Sequence, residues 1–192
     1  ATPAVRVLVT GGGTREPIDA VRFIGNHSSG RTAATIADRL QSLGHAVTWL
    51  GATDAVEPTT VSERHHFESF ADLDRALRQI LGRQRYGAVI HAAAVSDFSV
   101  DRIGEDGAGA EPGKLASSEA RALRLTPNPK LLGRIRDYAG SEPLRLVGFK
   151  LTVDADRPAV QDAVARQFAQ SGPDWVVHND LRDIRAGQHR FT

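Results

Sequence analysis

A polar segment with small residues connects the first apolar strand pattern of the chain to its first helical pattern. It runs from Asp19 to Gly30 and contains Asn26, followed by Ser28 and Ser29 where the helical spacing begins. Backbone N–H groups at a helix N-terminus bind anions, and the helix dipole favours negative charge there. A simple helix cap by Ser28 or Ser29 is the other interpretation. The segment therefore predicts either an anion site or an ordinary cap.

A second candidate site follows the strand pattern of residues 86–93. Ala93 and Ala94 lie at the end of this strand, and Asp97 comes three residues later. Small side chains let a ligand approach the backbone, and a carboxylate can order a metal, a ribose or an amine. Tight sheet packing followed by a turn aspartate is the alternative.

Three lysines stand out among the 24 cationic residues, because all the others are arginine. Lys114 lies in a glycine-rich stretch, Lys130 follows Asn-Pro at a predicted helix start, and Lys150 follows Gly-Phe. A coding bias toward arginine explains the low count. The lysine positions are still of interest, because a compact, flexible ammonium group is not interchangeable with a planar guanidinium.

Common catalytic and nucleotide-binding motifs are absent or incomplete in the sequence. Gly11 and Gly13 begin a dinucleotide-binding fingerprint, but Glu16 occupies the position of its third glycine. There is no P-loop, zinc-protease motif or nucleophile elbow, and there is no cysteine. His65 and His66 are adjacent, so on a strand they point to opposite faces. We therefore predict no metal site formed by the chain.

The composition indicates one folded domain spanning residues 1–192. The chain has 192 residues, 41% of them hydrophobic, and a net charge of +1. This length is sufficient for a core, whereas the near-neutral charge argues against nucleic acid or an anionic membrane as a partner. No apolar run reaches the ~18 residues of a membrane span, and no secretory signal pattern is present. We expect a cytoplasmic protein.

Strand and helix patterns alternate along the chain, and they would bring the candidate residues to one edge of a sheet. Apolar strands alternating with helices are typical of a Rossmann-like, doubly wound α/β fold with a mostly parallel sheet. Such sheets bind ligands at the carboxyl ends of their strands, here after residues 10, 50, 93, 151 and 178. The glycine-containing stretch of residues 99–124 predicts a flexible lid inserted in this domain. The predicted strands are 5–10, 46–50, 61–67, 86–93, 144–151 and 175–178, and the predicted helices are 29–43, 70–81, 128–138 and 157–170.

Short segments around the candidate residues occur in an order that resembles phosphopantothenoylcysteine synthetase, the phosphopantothenate–cysteine ligase of coenzyme A synthesis, in its monofunctional form. The chain departs from the family pattern in two places. After Ser-Ser-Gly the family often has a further glycine, whereas this chain has Thr32-Ala33. The helix before Asn179 lacks the lysines that some bacterial members have there. The segments that carry the resemblance are Val9–Asp19, Val21–Gly30, Ala92–Asp97, Lys114-Leu115 with Ser117, Asn128–Lys130, Gly148–Leu151, Asn179–Leu181 and Gln188–Arg190.

The resemblance implies a ligation in two steps. The carboxylate of 4′-phosphopantothenate would attack the α-phosphate of CTP or ATP, giving an acyl-nucleotidylate and pyrophosphate. The amine of L-cysteine would then displace the nucleoside monophosphate. Mg²⁺ would counter the charge of the triphosphate, and catalysis would depend on positioning and charge neutralisation. A homodimer is expected, and a separate phosphopantothenoylcysteine decarboxylase is a further partner that the family suggests.

The resemblance also implies roles for individual residues. Asn26 would hold the substrate carboxylate and the acyl-nucleotidylate, and Lys114 would act from the lid once the intermediate has formed. The other residues would bind ligands: the acid substrate is assigned Arg22, Ser28, Ser29, Gly30, Ala93 and Ala94, and the nucleotide is assigned Gly12, Gly13, Asp97, Lys130, Phe149, Lys150 and Asn179.

Three other functions stay open at this point. One is a paralogous nucleotide-dependent acid–amine ligase, and another is a nicotinamide-binding reductase. The third is a non-catalytic protein that binds nucleotide or acid and partners a separate flavin decarboxylase.

Overall fold

The computed structural model of the chain describes residues 3–103, 113–114, 117–118, 120, 122–140, 143–185 and 192. Its elements, in chain order, are β1 (Arg6–Gly11), β2 (Arg15–Pro17), β3 (Phe23–Gly25), α1 (Arg31–Ser42), β4 (Ala46–Ala52), β5 (Glu63–Phe67), α2 (Phe70–Arg83), β6 (Ala88–His91), β7 (Phe98–Ile103), β8 (Leu123–Pro127), a 3₁₀ turn (Leu131–Arg134), α3 (Ile135–Ala139), β9 (Arg145–Thr152), α4 (Arg157–Ser171), β10 (Trp175–Asp180) and α5 (Leu181–Arg185).

The central sheet runs in the order β10-β9-β6-β1-β4-β5, with every pair of neighbours parallel. β1 lies inside the sheet, and its apolar residues Val7, Leu8 and Val9 are almost completely buried. A strand covered on both faces needs apolar residues at every position, which explains why β1 does not alternate. The predicted doubly wound, mostly parallel α/β fold is confirmed.

Helices cover the two faces of this sheet. α1 packs small residues, including Ala33 and Ala37, against one face, which allows the helix to approach the strands closely. α2 and α3 bury larger residues, among them Leu73 and Ile135, on the other face. α2 begins with a capping box in which Ser69 and Asp72 exchange side-chain and backbone hydrogen bonds. Within the described ranges, no helix has both the length and the apolar character needed to cross a membrane.

The structure differs from the predicted elements at several boundaries. The helix predicted for residues 128–138 is a 3₁₀ turn followed by the short α3. The Asn128 N–H donates to the carbonyl of Asp97, and its side-chain amide donates to the carbonyl of Ser96. Asn128 is therefore held outside the helix, and Pro129 also disfavours helical backbone at the residue before it. The short helix α5 follows β10, where the sequence patterns predict no helix or strand.

Two small antiparallel ladders were not predicted from the sequence. β2 pairs with β3 beside the end of β1, and β7 pairs with β8 at the two ends of the predicted lid. Half of the predicted lid, residues 104–112, 115–116, 119 and 121, lies outside the described residues. The tail motif Gln188–Arg190 also lies outside them.

Asp180 ties the end of β10 to the loop between β9 and α4. Its carboxylate is buried and accepts hydrogen bonds from the Thr152 hydroxyl at 2.6 Å and from the backbone N–H groups of Arg182, Asp154 and Ala155. These bonds, with that of Thr152 the strongest, lower the pKa of Asp180 to about 2. The anchored loop comes directly before α4.

We predict that Asp180→Asn lowers the free energy of unfolding at pH 7. The pKa of Asp180 in the folded state lies below the unfolded value of about 3.9, so its stabilisation is complete above that value and is lost as the pH falls toward 2. In urea unfolding, the difference between wild type and variant should be constant down to about pH 4 and then shrink. Asp162→Asn, at an exposed position of α4, is the matched control and should leave stability unchanged. A wild-type advantage that persisted undiminished at pH 2 would contradict this prediction.

Candidate functional site

A cavity of about 730 Å³ lies at the carboxyl ends of the central strands, beside the start of α1. This is the edge that the alternation of strands and helices predicted. Several of the predicted site residues line it together: Gly13, Asn26, Ser28, Ser29, Gly30, Ala93, Ala94, Phe149 and Asn179.

Backbone pairing beyond the ends of β1 and β6 forms the floor of this cavity. The Ala92 N–H donates to the carbonyl of Thr10 at 3.2 Å, and the Ala94 N–H donates to the carbonyl of Gly12 at 2.8 Å. The Thr14 N–H returns a bond to the carbonyl of Ala94 at 3.1 Å. The alanines thus continue the parallel ladder, and they leave room above the backbone for a ligand.

A buried histidine contacts a threonine that is hydrogen-bonded to this floor. The Thr10 hydroxyl lies 2.8 Å from Nδ1 of His91 and accepts a bond from the Ala93 N–H at 3.2 Å. Burial lowers the pKa of His91 to about 4, so the imidazole is neutral at pH 7. The contact with His91 and the bond from the Ala93 N–H together fix the Thr10 hydroxyl at the end of β1.

The start of α1 depends on two glycines in the left-handed region. Gly30 has a φ of 73° and Gly12 has a φ of 84°. A Cβ atom on either residue would lie 2.8 Å from Cβ of Ala55. Only glycine fits both the backbone conformation and the space, so the loop after β1 and the loop after β4 meet at the helix start.

The predicted position of the helix start needs a correction. α1 begins at Arg31, with Gly30 as the capping residue and no side-chain cap, so neither Ser28 nor Ser29 is the N-cap. The Ser29 hydroxyl accepts a bond from the Arg31 N–H at 3.3 Å. Since α1 begins at Arg31, the N–H groups of its first turn come from Arg31–Ala33 and not from residues 28–30. The N–H of Arg31 is bound by Ser29, which leaves those of Thr32 and Ala33 without a partner inside the helix. This turn lies wholly within the described residues, and it contains no acidic side chain.

Asn26 lies between two cavities. Its backbone carbonyl packs so close to Gly13 that a Cβ there would be 2.5 Å from the carbonyl oxygen. Besides the main cavity, Asn26 lines a smaller one of about 190 Å³, together with Glu16, Asp97 and Phe98. Asn26 is thus shared by the linings of both cavities.

Glu16 does not line the main cavity, and its carboxylate instead forms hydrogen bonds to two other elements of the fold. The carboxylate accepts the Phe70 N–H of α2 at 2.8 Å and the Ser99 hydroxyl of β7 at 3.3 Å. Burial is the main cause of its raised pKa. The Ser99 hydroxyl also contacts Asn128 at 2.9 Å. Glu16 thus connects the loop after β1 to the base of the β7–β8 ladder.

Several predicted ligand-binding residues do not line the main cavity. Gly12 is packed beneath it against alanines. Arg22 forms an ion pair at 3.0 Å with Asp19, whose side chain is buried. Asp97 lines the smaller cavity and forms an ion pair with Lys130.

The other two predicted lysines also lie apart from this lining. Lys114 is exposed, and its neighbour Gly113 accepts the Ala20 N–H at 3.3 Å. Adjacent strand residues point to opposite faces, so Lys150, next to the cavity-lining Phe149, lies on the face where Leu132 packs over Gly148. None of the three lysines is a cavity-lining residue in the part of the chain that the structure describes.

The sequence analysis did not single out Arg15 and Asp54, which form an ion pair and both line the main cavity. The guanidinium of Arg15 also stacks on the ring of Phe23, 4.3 Å from its centroid. Arg31, the first residue of α1, is a further cationic lining residue. The sequence did contain a signal for both residues. Asp54 lies in the loop after β4 and Arg15 follows the glycines after β1, so each comes after the carboxyl end of a central strand.

A metal site is not formed by the side chains that the structure describes. No group of three or more His, Cys, Asp or Glu residues that could hold a metal ion occurs among them. His66 instead pairs with Glu57 at 2.6 Å.

The fold is that of a Rossmann-like α/β domain with a cavity at the carboxyl ends of its central strands. Residues 3–190 match the family model of the DNA/pantothenate metabolism flavoprotein C-terminal domain. This match extends over nearly the whole chain, and the chain belongs to that family.

Curated relatives are longer than this chain. It is 33% identical over 177 residues to the coenzyme A biosynthesis bifunctional protein CoaBC of Thermococcus kodakarensis, covering 92% of this chain and 41% of the relative. It is 41% identical to the CoaBC of Mycobacterium bovis, covering 94% of this chain and 43% of the relative. The chain thus spans about two-fifths of the length of these relatives.

Solved structures share the fold. The DNA/pantothenate metabolism flavoprotein of Streptococcus pneumoniae has a TM-score of 0.81 at 27% identity, covering 94% of this chain and 84% of that one. A Cab2 H337A structure, described as a complex with phosphopantothenate-cysteine, has a TM-score of 0.74 at 20% identity, covering 93% and 73% respectively. At that identity the second similarity concerns the fold alone.

We predict that Gly30→Ala destabilises the protein more than Gly44→Ala does. Both glycines have positive φ, 73° and 88°, which costs a non-glycine residue about 1 kcal/mol. A Cβ at Gly44 meets nothing within 4 Å, whereas one at Gly30 would clash with Ala55. Overpacking adds roughly 1 kcal/mol or more, which urea unfolding at pH 7 measures. Equal losses for the two variants would show that the contact with Ala55 relaxes freely.

Proposed function

We propose that this chain is a phosphopantothenate–cysteine ligase that activates its acid substrate as an acyl-nucleotidylate. The observation that carries the proposal is the meeting of Asn26, the α1 start and Ala93-Ala94 around one cavity. Family membership supports it, because the relatives are named for coenzyme A biosynthesis. The relatives' activity belongs to longer proteins, so its assignment to this domain is part of the proposal.

The nucleotide phosphates would bind at the start of α1. The N–H groups of the first turn have no partners within the helix and line the cavity, together with Ser28 and Ser29. The absence of an acidic residue from this turn leaves the favourable position for negative charge to a ligand. Phe149 and Asn179 at the ends of β9 and β10 would border the rest of the nucleotide.

The acid substrate would react beside Asn26. An amide can donate a hydrogen bond to a carboxylate oxygen without adding charge, and Ala93 and Ala94 leave the space for the acyl group. A carboxylate oxygen attacks the α-phosphorus, the bond to the pyrophosphate oxygen breaks, and pyrophosphate leaves. The cysteine amine then attacks the acyl carbon and releases the nucleoside monophosphate. This reaction needs no protein nucleophile, so positioning is the main contribution of the chain.

Mg²⁺ would enter with the nucleotide and not as a metal held by the protein. The described residues offer no cluster of ligand side chains, and Mg²⁺ is commonly bound through substrate phosphates and water. The choice between CTP and ATP is part of the proposal that the assay below decides.

Two further parts of the proposal concern residues outside the cavity lining. Lys114 is exposed next to Gly113 and would reach the intermediate when the predicted lid closes. Arg22 would contribute to recognition of an anionic substrate. The protein would act as a homodimer, as the resemblance implies. Cytoplasmic location and a separate decarboxylase partner remain expectations of the same resemblance.

We predict pyrophosphate release when the protein is incubated with 4′-phosphopantothenate, L-cysteine, Mg²⁺ and either CTP or ATP. Release should require the acid, and mass spectrometry should detect phosphopantothenoylcysteine only when cysteine is present. Replacing 4′-phosphopantothenate with other acids tests the paralogous ligase, and cofactor fluorescence with NADPH tests the reductase. If the protein binds nucleotide but releases no pyrophosphate under any of these conditions, the non-catalytic alternative is favoured.

We predict that Asn26→Asp lowers kcat/KM for the acid substrate by roughly 100-fold. The new carboxylate would repel the substrate carboxylate and lose the donated bond, and removal of one such donor commonly costs 10²–10³ in rate. Steady-state pyrophosphate release gives the value. Gln161→Glu makes the same change from amide to carboxylate at an exposed position of α4, and it should have wild-type kinetics. Wild-type kinetics for Asn26→Asp would remove Asn26 from the reaction.

A further inference from the structure

The cations that line the main cavity differ from those that the sequence indicated. Among the described lining residues, the arginines and lysines are Arg15 and Arg31. A triphosphate brings several negative charges, and binding it requires local positive charge. Arg15 is of special interest because an acidic residue of the same cavity already neutralises it.

Contacts to both its side chain and its backbone fix the position of Arg15. The guanidinium stacks on Phe23, 4.3 Å from the ring centroid, and forms an ion pair with Asp54. The backbone of Arg15 is held in β2, and its N–H donates to the carbonyl of Glu68 at 2.8 Å. Stacking on an aromatic face orients the guanidinium plane whatever its anionic partner is.

The loop that carries Asp54 is attached to the start of α1. The Val56 N–H donates to the carbonyl of Ser29 at 2.8 Å, and Ala55 packs against Gly30. Asp54, which lines the main cavity, therefore lies in a loop that contacts the start of α1. Its ion pair with Arg15 places the guanidinium beside this loop.

The Arg15–Asp54 pair is partly exposed, with 31% and 46% of the two side chains accessible. Exposed ion pairs contribute little to stability, so a polyanion can replace such a carboxylate at low cost. After replacement, the Asp54 carboxylate can turn to water without being left buried and unpaired. The arginine can form two parallel bonds to phosphate oxygens, which a lysine cannot.

We propose that Arg15 is a phosphate-binding residue for the nucleotide, and that it exchanges Asp54 for a phosphate group when the triphosphate binds. This inference rests on the proposed function for the identity of the ligand. Asp54 then has two effects: it holds Arg15 in place before binding, and it opposes binding because it competes for the guanidinium and repels phosphate. The pair makes the cavity selective for ligands with enough negative charge to displace a carboxylate.

The test is calorimetric titration with pyrophosphate and with CTP and ATP, first without Mg²⁺. We expect Arg15→Gln to weaken pyrophosphate binding about tenfold, with Arg15→Lys in between, because it keeps the charge but loses the paired bonds. Asp54→Asn should strengthen binding severalfold, and its effect should shrink in the Arg15→Gln background. Unchanged binding in Arg15→Gln would overturn the proposal. So would weaker binding in Asp54→Asn, because Asp54 would then assist the ligand.

A matched control exists on α2. Arg78 stacks over Tyr138 at 4.6 Å and pairs with Asp74 at 3.2 Å, which is the same arrangement outside the cavity lining. Arg78→Gln should leave pyrophosphate affinity unchanged, and a loss equal to that of Arg15→Gln would overturn the proposal by showing a general charge effect. Urea unfolding of each variant verifies that it is folded.

The outcomes also separate this inference from the proposed ligase. Wild-type ligation with an unchanged KM for the triphosphate in Arg15→Gln would refute the role of Arg15 and leave the ligase intact. Pyrophosphate binding that depends on Arg15, in a chain that forms no product with any acid, would refute the ligase and leave the phosphate site.

Discussion

The close approach of backbones at the carboxyl end of β1 is the constraint on which the rest of the structure depends. A Cβ at Gly11 would lie 2.6 Å from Cβ of Ala33, and a Cβ at Gly13 would lie 2.5 Å from the carbonyl oxygen of Asn26. With side chains there, α1 could not lie against the sheet and the segment carrying Asn26 could not cross the strand end. The cavity exists because backbone, and not side chains, occupies this junction.

The central sheet could be predicted because its signals are local. Continuous apolar runs, amphipathic helices and the glycines after β1 are each visible within a dozen residues, and together they gave the parallel fold and the correct edge. The remaining elements depend on distant partners. β2 and β3 have three residues each, too few to show a period. The break at Asn128 comes from bonds to residues around 30 positions earlier in the chain.

The same distinction holds for the candidate site. The segments at strand ends were predicted to converge, and the structure brings them together. The lysines were singled out by residue type, which does not tell where a side chain points. Lys150 follows a cavity-lining residue on a strand, so its side chain points away from the cavity. Lys130 forms an ion pair with Asp97. Arg15 was missed because its position depends on Phe23, eight residues away, and on Asp54, 39 residues away.

The arrangement of acidic residues around the main cavity suits the proposed anionic ligand, although the chain is nearly neutral. Glu16 is directed away from the main cavity, because the first N–H of α2 and the Ser99 hydroxyl bind it. Asp54 stays in the cavity but is paired with Arg15. The start of α1 has no acidic residue of its own and begins with Arg31, a cation at the end of the helix where positive charge is unfavourable. In the proposed function, an anionic ligand bound at this helix start would relieve the repulsion.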